Sequence, residues 1–129
     1  MSMARFKFRA WDKENKVLHY NAECVYDFMN GTPPLMHNSF GDLLDDNDFI
    51  IEQCTGLKDK NDKLIYEGDL LGTSKDDDEF VEICWCDTLA SFMCDIYPET
   101  YGNLETCDAD YLAKLEIIGN IHEWRLQNE

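Results

Sequence analysis

The chain has 129 residues, the length of one ordinary domain. Its 27 Asp and Glu outnumber 11 Lys and Arg, giving a formal net charge of −16, while 44% hydrophobic and 12% aromatic residues suffice for a core and exclude wholesale disorder. No apolar run approaches the roughly 18 residues of a membrane-spanning helix, and residues 1–9 lack the apolar core of a secretory signal, so a membrane or secreted protein is not expected.

Residues 5–11 alternate. Phe6, Phe8 and Ala10 point one way; Arg5, Lys7, Arg9 and Trp11 point the other, as in a half-buried strand. Residues 17–20 read as its return strand. A three-residue loop at 13–15, with Asn15 left-handed, pairs Ala10 with Leu18 and Phe8 with Tyr20. Asn30-Gly31-Thr32-Pro33-Pro34 breaks any regular element within 21–48. Residues 41–48 are acidic but lack the glycine and glutamate spacing of a calcium loop, and read as a polar loop with one helical turn.

Residues 49–54 read as a strand, Thr55-Gly56 as a turn or bulge, and 58–63 as a second polar turn. Leu64-Ile65-Tyr66 is a short strand before the turn Glu67-Gly68-Asp69, and Leu70-Leu71 starts the next. Residues 80–86 and 89–97 form the clearest hairpin. A turn at Asp87-Thr88 pairs Trp85 with Ala90, Ile83 with Phe92 and Val81 with Cys94, so that the two apolar faces coincide. That register buries Trp85, where truncation to alanine costs about 3–5 kcal/mol. Residues 98–108 read as an irregular loop, 108–115 as a short helix capped by Asp108, and 115–123 as a strand with a bulge at Gly119-Asn120.

Six cysteines fall short of the roughly 8–10% of a disulfide scaffold. None forms a Cys-x-x-Cys pair, and His19, His37 and His122 are far apart in sequence, so the expectation is six reduced thiols and no metal. Nor is a cofactor motif present. Gly56, Gly68 and Gly72 lack phosphate-loop spacing. His122-Glu123 is the nearest histidine–acid pair, and on a strand the two point to opposite faces. An enzyme is therefore not expected.

Four blocks stand out in order: Lys7-Phe8-Arg9-Ala10-Trp11-Asp12; Thr55-Gly56-Leu57-Lys58-Asp59-Lys60-Asn61; Ile65-Tyr66-Glu67-Gly68-Asp69; and Ile118-Gly119-Asn120-Ile121. The set resembles the YopX family of small phage and prophage proteins. The resemblance implies a small, mainly β protein in a bacterial cytoplasm, and implies no catalytic residue. Asp62 departs from the glycine usual in the family after the asparagine. The fold expected is a single YopX-like domain over 1–129, mainly β. Its hairpins form a small barrel or curled antiparallel sheet, with an SH3-like element around 64–96, variable insertions at about 21–48 and 97–110, and short helices only.

Two surfaces are candidate sites. Trp11, Tyr66, Glu67 and Asp69 would form a binding rim. Asp76, Asp77, Asp78 and Glu79 must be solvated and would form an acidic face. Residues 67–110 hold thirteen acids and one base, Lys75, a field that repels duplex nucleic acid and steers toward a basic protein. The leading reading is thus a non-enzymatic interaction module with a protein partner, without membrane or cofactor, with self-association left open. The alternative is a small-barrel nucleic-acid-binding module using Arg5, Lys7, Arg9 and Trp11.

Overall fold

The computed structural model describes residues 3–24, 37, 39–73, 79–97 and 104–128. Strands hold 47% of them, and the helices are short, so the protein is mainly β as expected. Contacts divide the chain into two compact units, Met1–Cys54 and Thr55–Glu129.

In the first unit, β1 (Phe8–Asp12) lies between β2 (Val17–Tyr20) and β3 (Phe49–Lys58), antiparallel to both. A central strand has neighbours on both edges, and here both of its faces are covered. Arg9, Ala10, Trp11 and Asp12 are all buried, so the alternation of residues 5–11 does not produce a wet face. Ala10, Ala22 and Leu43 form the core with Phe8, Phe40, Phe49 and Ile51 packed on it. Leu43 and Phe40 arrive on α1 (Phe40–Leu44), the expected helical turn, whose first turn is capped by Ser39 Oγ accepting from the Asp42 amide.

The first hairpin differs from its expected register by one residue: Trp11 faces Leu18 and Ala10 faces His19. The cause is Asp12. Its Oδ1 accepts the amides of Glu14 and Asn15, and its carbonyl accepts Lys16 N–H at 2.8 Å. That grip needs a four-residue loop, and the left-handed position moves from Asn15 to Lys16 (φ 59°).

In the second unit, the end of β3 pairs with β4 (Leu64–Tyr66). A five-stranded sheet follows in the order β8-β7-β6-β5-β9, built from β5 (Asp69–Gly72), β6 (Phe80–Cys86), β7 (Ser91–Tyr97), β8 (Leu104–Thr106) and β9 (Glu116–Asn120). Its core gathers Ile65, Leu71, Val81, Ile83, Cys94, Leu112 and Leu115. Leu112 comes from α2 (Ala109–Leu112), whose cap is Asp108, as expected. Gly56, at φ 84° inside β3, is the expected bulge glycine.

Three expectations are corrected in this unit. The β6–β7 hairpin is shifted by two residues, with Trp85 opposite Phe92 and Ile83 opposite Cys94. Its turn takes four residues, ending at left-handed Ala90 (φ 51°). A shift of two keeps the apolar faces together, but it carries Trp85 to the sheet's end. There Trp85 is 43% exposed, its ring edge-on to Phe92 and its Nε1–H donating to Asp87. Residues 98–108 are not wholly irregular, since β8 pairs with β7. Finally, the last strand stops at Asn120 and α3 (Ile121–Asn128) follows. Asn120 Oδ1 accepts the Glu123 amide and so starts the helix. The bulge falls at Ile118, where Leu70 faces Gly119 and Leu71 faces Ile117.

Candidate functional site

The residues expected to form a binding rim are mostly inside. Trp11, Tyr66 and Asp69 are buried at 5%, 6% and 3% exposure, and Glu67 is half-buried. Trp11 belongs to the first unit and the other three to the second. The expected nucleic-acid patch does not form either. Arg5 sits in a single 3-10 turn, Ala4–Phe6, before β1. Trp11 is buried, and Arg9 is 1% exposed with its Nε donating to Glu52 Oε1 at 2.7 Å. The Arg9 guanidinium also donates to the Tyr20 hydroxyl at 3.3 Å. Only Arg5 and Lys7 of that set are exposed.

What these residues do instead is hold backbone. Asp12 Oδ2 accepts from Asn15 Nδ2 at 2.7 Å and from His19 Nε2 at 3.2 Å. Burial works against the Asp12 carboxylate, but bonds from Asn15, His19 and Glu14 outweigh it and hold its pKa below the ordinary value. Asp59 is the corresponding hub of the second unit. Its Oδ1 accepts the amides of Asn61 and Lys63, each at 2.9 Å, and its Oδ2 accepts the Ile117 amide at 3.0 Å. Burial again opposes the charge, and those three amides overcome it, so Asp59 too is held low. Asp62 accepts the left-handed conformation (φ 66°) that the family's glycine would supply freely.

The turn before β5 works the same way. Gly68 (φ 89°) permits it, and Asp69 Oδ2 accepts the Tyr66 amide at 2.8 Å. Gly68 N–H donates to the Ile83 carbonyl, and its own carbonyl accepts from Ile121 at 2.8 Å. The turn thus ties β6 and the start of α3 together.

A concave site does exist in the second unit. A cavity of about 220 Å³ is lined by Leu71 and Gly72 from β5 and Thr73 just after it, Phe80 and Val81 from β6 and Glu79 just before it, and Tyr111 and Leu115 from α2 and the turn after it. Leu71, Val81 and Leu115 are buried and make an apolar floor. Phe80 is fixed by stacking on Tyr97 at 4.8 Å and by the edge of Trp124 at 5.9 Å. Tyr97 is itself anchored, its hydroxyl donating to Glu82. Burial, then the charges of Cys94, Glu79 and Glu105, push the Tyr111 phenol above its ordinary pKa. Glu79, the one acidic-face residue within the described structure, is exposed at this cavity; Asp76, Asp77 and Asp78 lie outside the described residues. The sequence reading missed Phe80 and Tyr111 as site residues. The signal was there in the Asp108-capped helix, which had to lay one face on the strand pair beginning at Leu70 and Phe80.

His122 and Glu123 lie in the first turn of α3 rather than on a strand, with His122 buried and Glu123 exposed. Cys94 and Cys107 bring their sulfurs to 3.5 Å, which their spacing did not suggest. Burial pushes the Cys84 thiol up to about 11, with help from Glu82 and Asp95. Among the described residues no group of three His, Cys, Asp or Glu could hold a metal ion, and no helix is long and apolar enough to cross a membrane.

Against known proteins, the family profile described as "YopX protein" matches residues 7–124. The chain belongs to the YopX family. A comparison with curated proteins finds no match. Among solved structures the chain is similar to the crystal structure of protein EF1440 from Enterococcus faecalis, at 26% identity and a TM-score of 0.57, over 95% of this chain and 97% of that one. The YopX blocks can now be read physically. Arg9, Asp12, Asp59, Gly68, Asp69 and Asn120 are each spent on a buried ion pair, a turn or a cap. They build the YopX framework, and the cavity is lined by residues outside those blocks.

Proposed function

We propose that this YopX protein is a non-enzymatic phage or prophage accessory module that binds a basic protein partner in the bacterial cytoplasm through an acidic surface. The observation that carries the reading is the fate of the N-terminal cations. Against a net charge of −16, Arg9 is withdrawn into a buried pair with Glu52, while Glu79, Asp87, Glu105, Asp108 and Asp110 stay exposed on the second unit. Such a field raises encounter rates with cations and repels phosphate backbones. The nucleic-acid alternative loses two of its four residues to the interior and is set aside.

The test is kinetic. A partner captured from host lysate at low salt is purified and its association measured across ionic strength. Association should slow as the Debye length falls from about 30 Å at 0.01 M to about 8 Å at 0.15 M. Neutralising Asp76, Asp77, Asp78 and Glu79 together should slow association more than it speeds dissociation. Binding indifferent both to salt and to those four residues would remove the support for this reading. Random duplex DNA should show no appreciable affinity at about 150 mM salt.

A further inference from the structure

Two of the six cysteines meet in the second unit. Cys94 lies in β7 and Cys107 just past β8, and their sulfurs are 3.5 Å apart. The β7–β8 ladder brings them there. Cys94 faces Glu105, and the ladder ends with Thr106 opposite Met93, so the chain leaves the sheet at Cys107. There Cys107 packs against the core that holds Cys94 and Leu112. Closing the gap to the roughly 2.05 Å of a disulfide takes about 1.5 Å of movement. Cys107 and Asp108 form a connection that belongs to neither β8 nor α2, and that is where such a movement is easiest. The pair is also chemically primed. The Cys107 thiol donates to the Cys94 sulfur, which favours the Cys94 thiolate over the opposing effect of burial and holds Cys94 below its ordinary pKa. The same bond, then burial, pushes Cys107 up. Cys84 is the contrast: its thiol donates to the Met93 carbonyl at 3.6 Å and is held near 11. Cys94 is 2% exposed, so only an oxidant close to the size of water reaches its sulfur.

We infer that Cys94 and Cys107 form a site of reversible oxidation, closed to a disulfide by a small hydroperoxide such as hydrogen peroxide and reopened by a dithiol. The Cys94 thiolate attacks one peroxide oxygen. An S–O bond forms, the O–O bond breaks, and the departing hydroxide takes up the proton that Cys94 had released, leaving as water. The Cys107 sulfur then attacks the Cys94 sulfenic acid. The S–S bond forms, the S–O bond breaks, and hydroxide leaves with the Cys107 proton as a second water. Two thiols and one hydrogen peroxide thus give one disulfide and two waters, with two electrons passing from sulfur to oxygen. In a reducing compartment such a link is transient and acts as a sensor rather than a staple. It ties β7 to the entry of α2, the helix that carries Tyr111 to the cavity.

The experiment treats the folded full chain with hydrogen peroxide, unfolds it in acid, blocks the remaining thiols by alkylation and maps the peptides by mass spectrometry without reduction. A peptide linked through Cys94 and Cys107 should be the main intramolecular product, and dithiothreitol should return it to two thiols. In urea the same treatment should scatter links among the six cysteines, because the fold is what brings this pair together. Cys84→Ser removes a thiol outside the pair and should leave the yield of the link within twofold. Cys107→Ser should abolish the link and let Cys94 advance to sulfinic acid. The link spans 13 residues, so the Tm of the oxidised protein should stand roughly 5–10 °C above that of the reduced one. Exposed Cys24 serves as the internal measure of oxidant. Recovery of both Cys94 and Cys107 as free thiols after peroxide has consumed Cys24 overturns the inference. So does a link that forms equally well in urea, one that is lost in Cys84→Ser, or one whose formation lowers Tm.

Discussion

Arg9→Met tests the first unit most directly. Nε of Arg9 meets Glu52 Oε1 at 2.7 Å, with the two side chains 1% and 6% exposed. At an effective dielectric of about 20, their attraction at this distance is roughly 6 kcal/mol. Stripping water from both ions costs several kcal/mol apiece, so the pair as a whole stands near balance. Breaking one half is different, because it leaves Glu52 buried without the Arg9 cation. Arg9→Met should therefore cost about 3–5 kcal/mol. At roughly 3 °C per kcal/mol for a chain of this size, Tm should fall by about 10–15 °C. Glu52→Leu should cost a similar amount. The double substitution replaces both ions with apolar groups and should return to within about 1.5 kcal/mol of the parent. Urea denaturation of the four proteins closes the cycle. If either single change costs less than about 1 kcal/mol, the pair behaves like a surface salt bridge and the reasoning is refuted. A double variant as unstable as the sum of the singles refutes it equally.

The remaining predictions concern the second unit, the acid limb and the thiols. Asp59→Ala orphans three amides and should cost about 3 kcal/mol, with Asp59→Asn in between, by the same denaturation. Asp12 and Asp59 both have folded pKa values below the ordinary 3.8, so their contribution is full above that pH and fades as pH falls through the folded values. A stability profile from pH 6 to 2 should thus drop on its acid side, and Asp59→Ala should flatten that drop. Trp85→Ala should cost only about 1 kcal/mol, against roughly 2–5 kcal/mol for Ile83→Ala, because Trp85 is 43% exposed and Ile83 is fully buried. Alkylation followed by mass spectrometry should modify exposed Cys24 first, Cys84 slowly because its thiol is held near 11, and buried Cys54 and Cys94 only on unfolding.

Strands were readable wherever apolar residues alternated between polar turns, and the helix cap at Asp108 was readable from its side-chain chemistry. Registers were not, because each depends on what a turn's side chain does in space. Asp12 gripping two amides lengthened one loop by a residue, and the four-residue turn ending at Ala90 moved the other hairpin by two. The burial of Arg9 was hidden for a related reason. An arginine in an alternating strand reads as outward-facing unless its partner is known, and Glu52 lies 43 residues away in sequence. The helix after Asn120 was missed because Ile121-His122-Glu123-Trp124 fits either period, and the cap that decides between them is an asparagine read as a bulge. The cavity was legible only through the Asp108-capped helix, because its floor and walls come from three separate stretches, each of which looks like ordinary core.

The same physics separates framework from function in this chain. A buried carboxylate accepting three amides, a left-handed glycine and a capping asparagine each tolerate few substitutes, since each satisfies backbone groups that have no other partner of equal quality nearby. Such positions give a sequence its recognisable blocks without touching a ligand. A cavity walled by Leu71, Val81, Leu115, Phe80 and Tyr111 makes weaker demands, because similar volumes and surfaces can be supplied by many apolar and aromatic residues. Two YopX proteins could therefore share every turn and ion pair and still present different cavities. Family membership fixes the scaffold that holds β5, β6 and α2 around the cavity, while the cavity's own lining comes from residues outside the shared blocks.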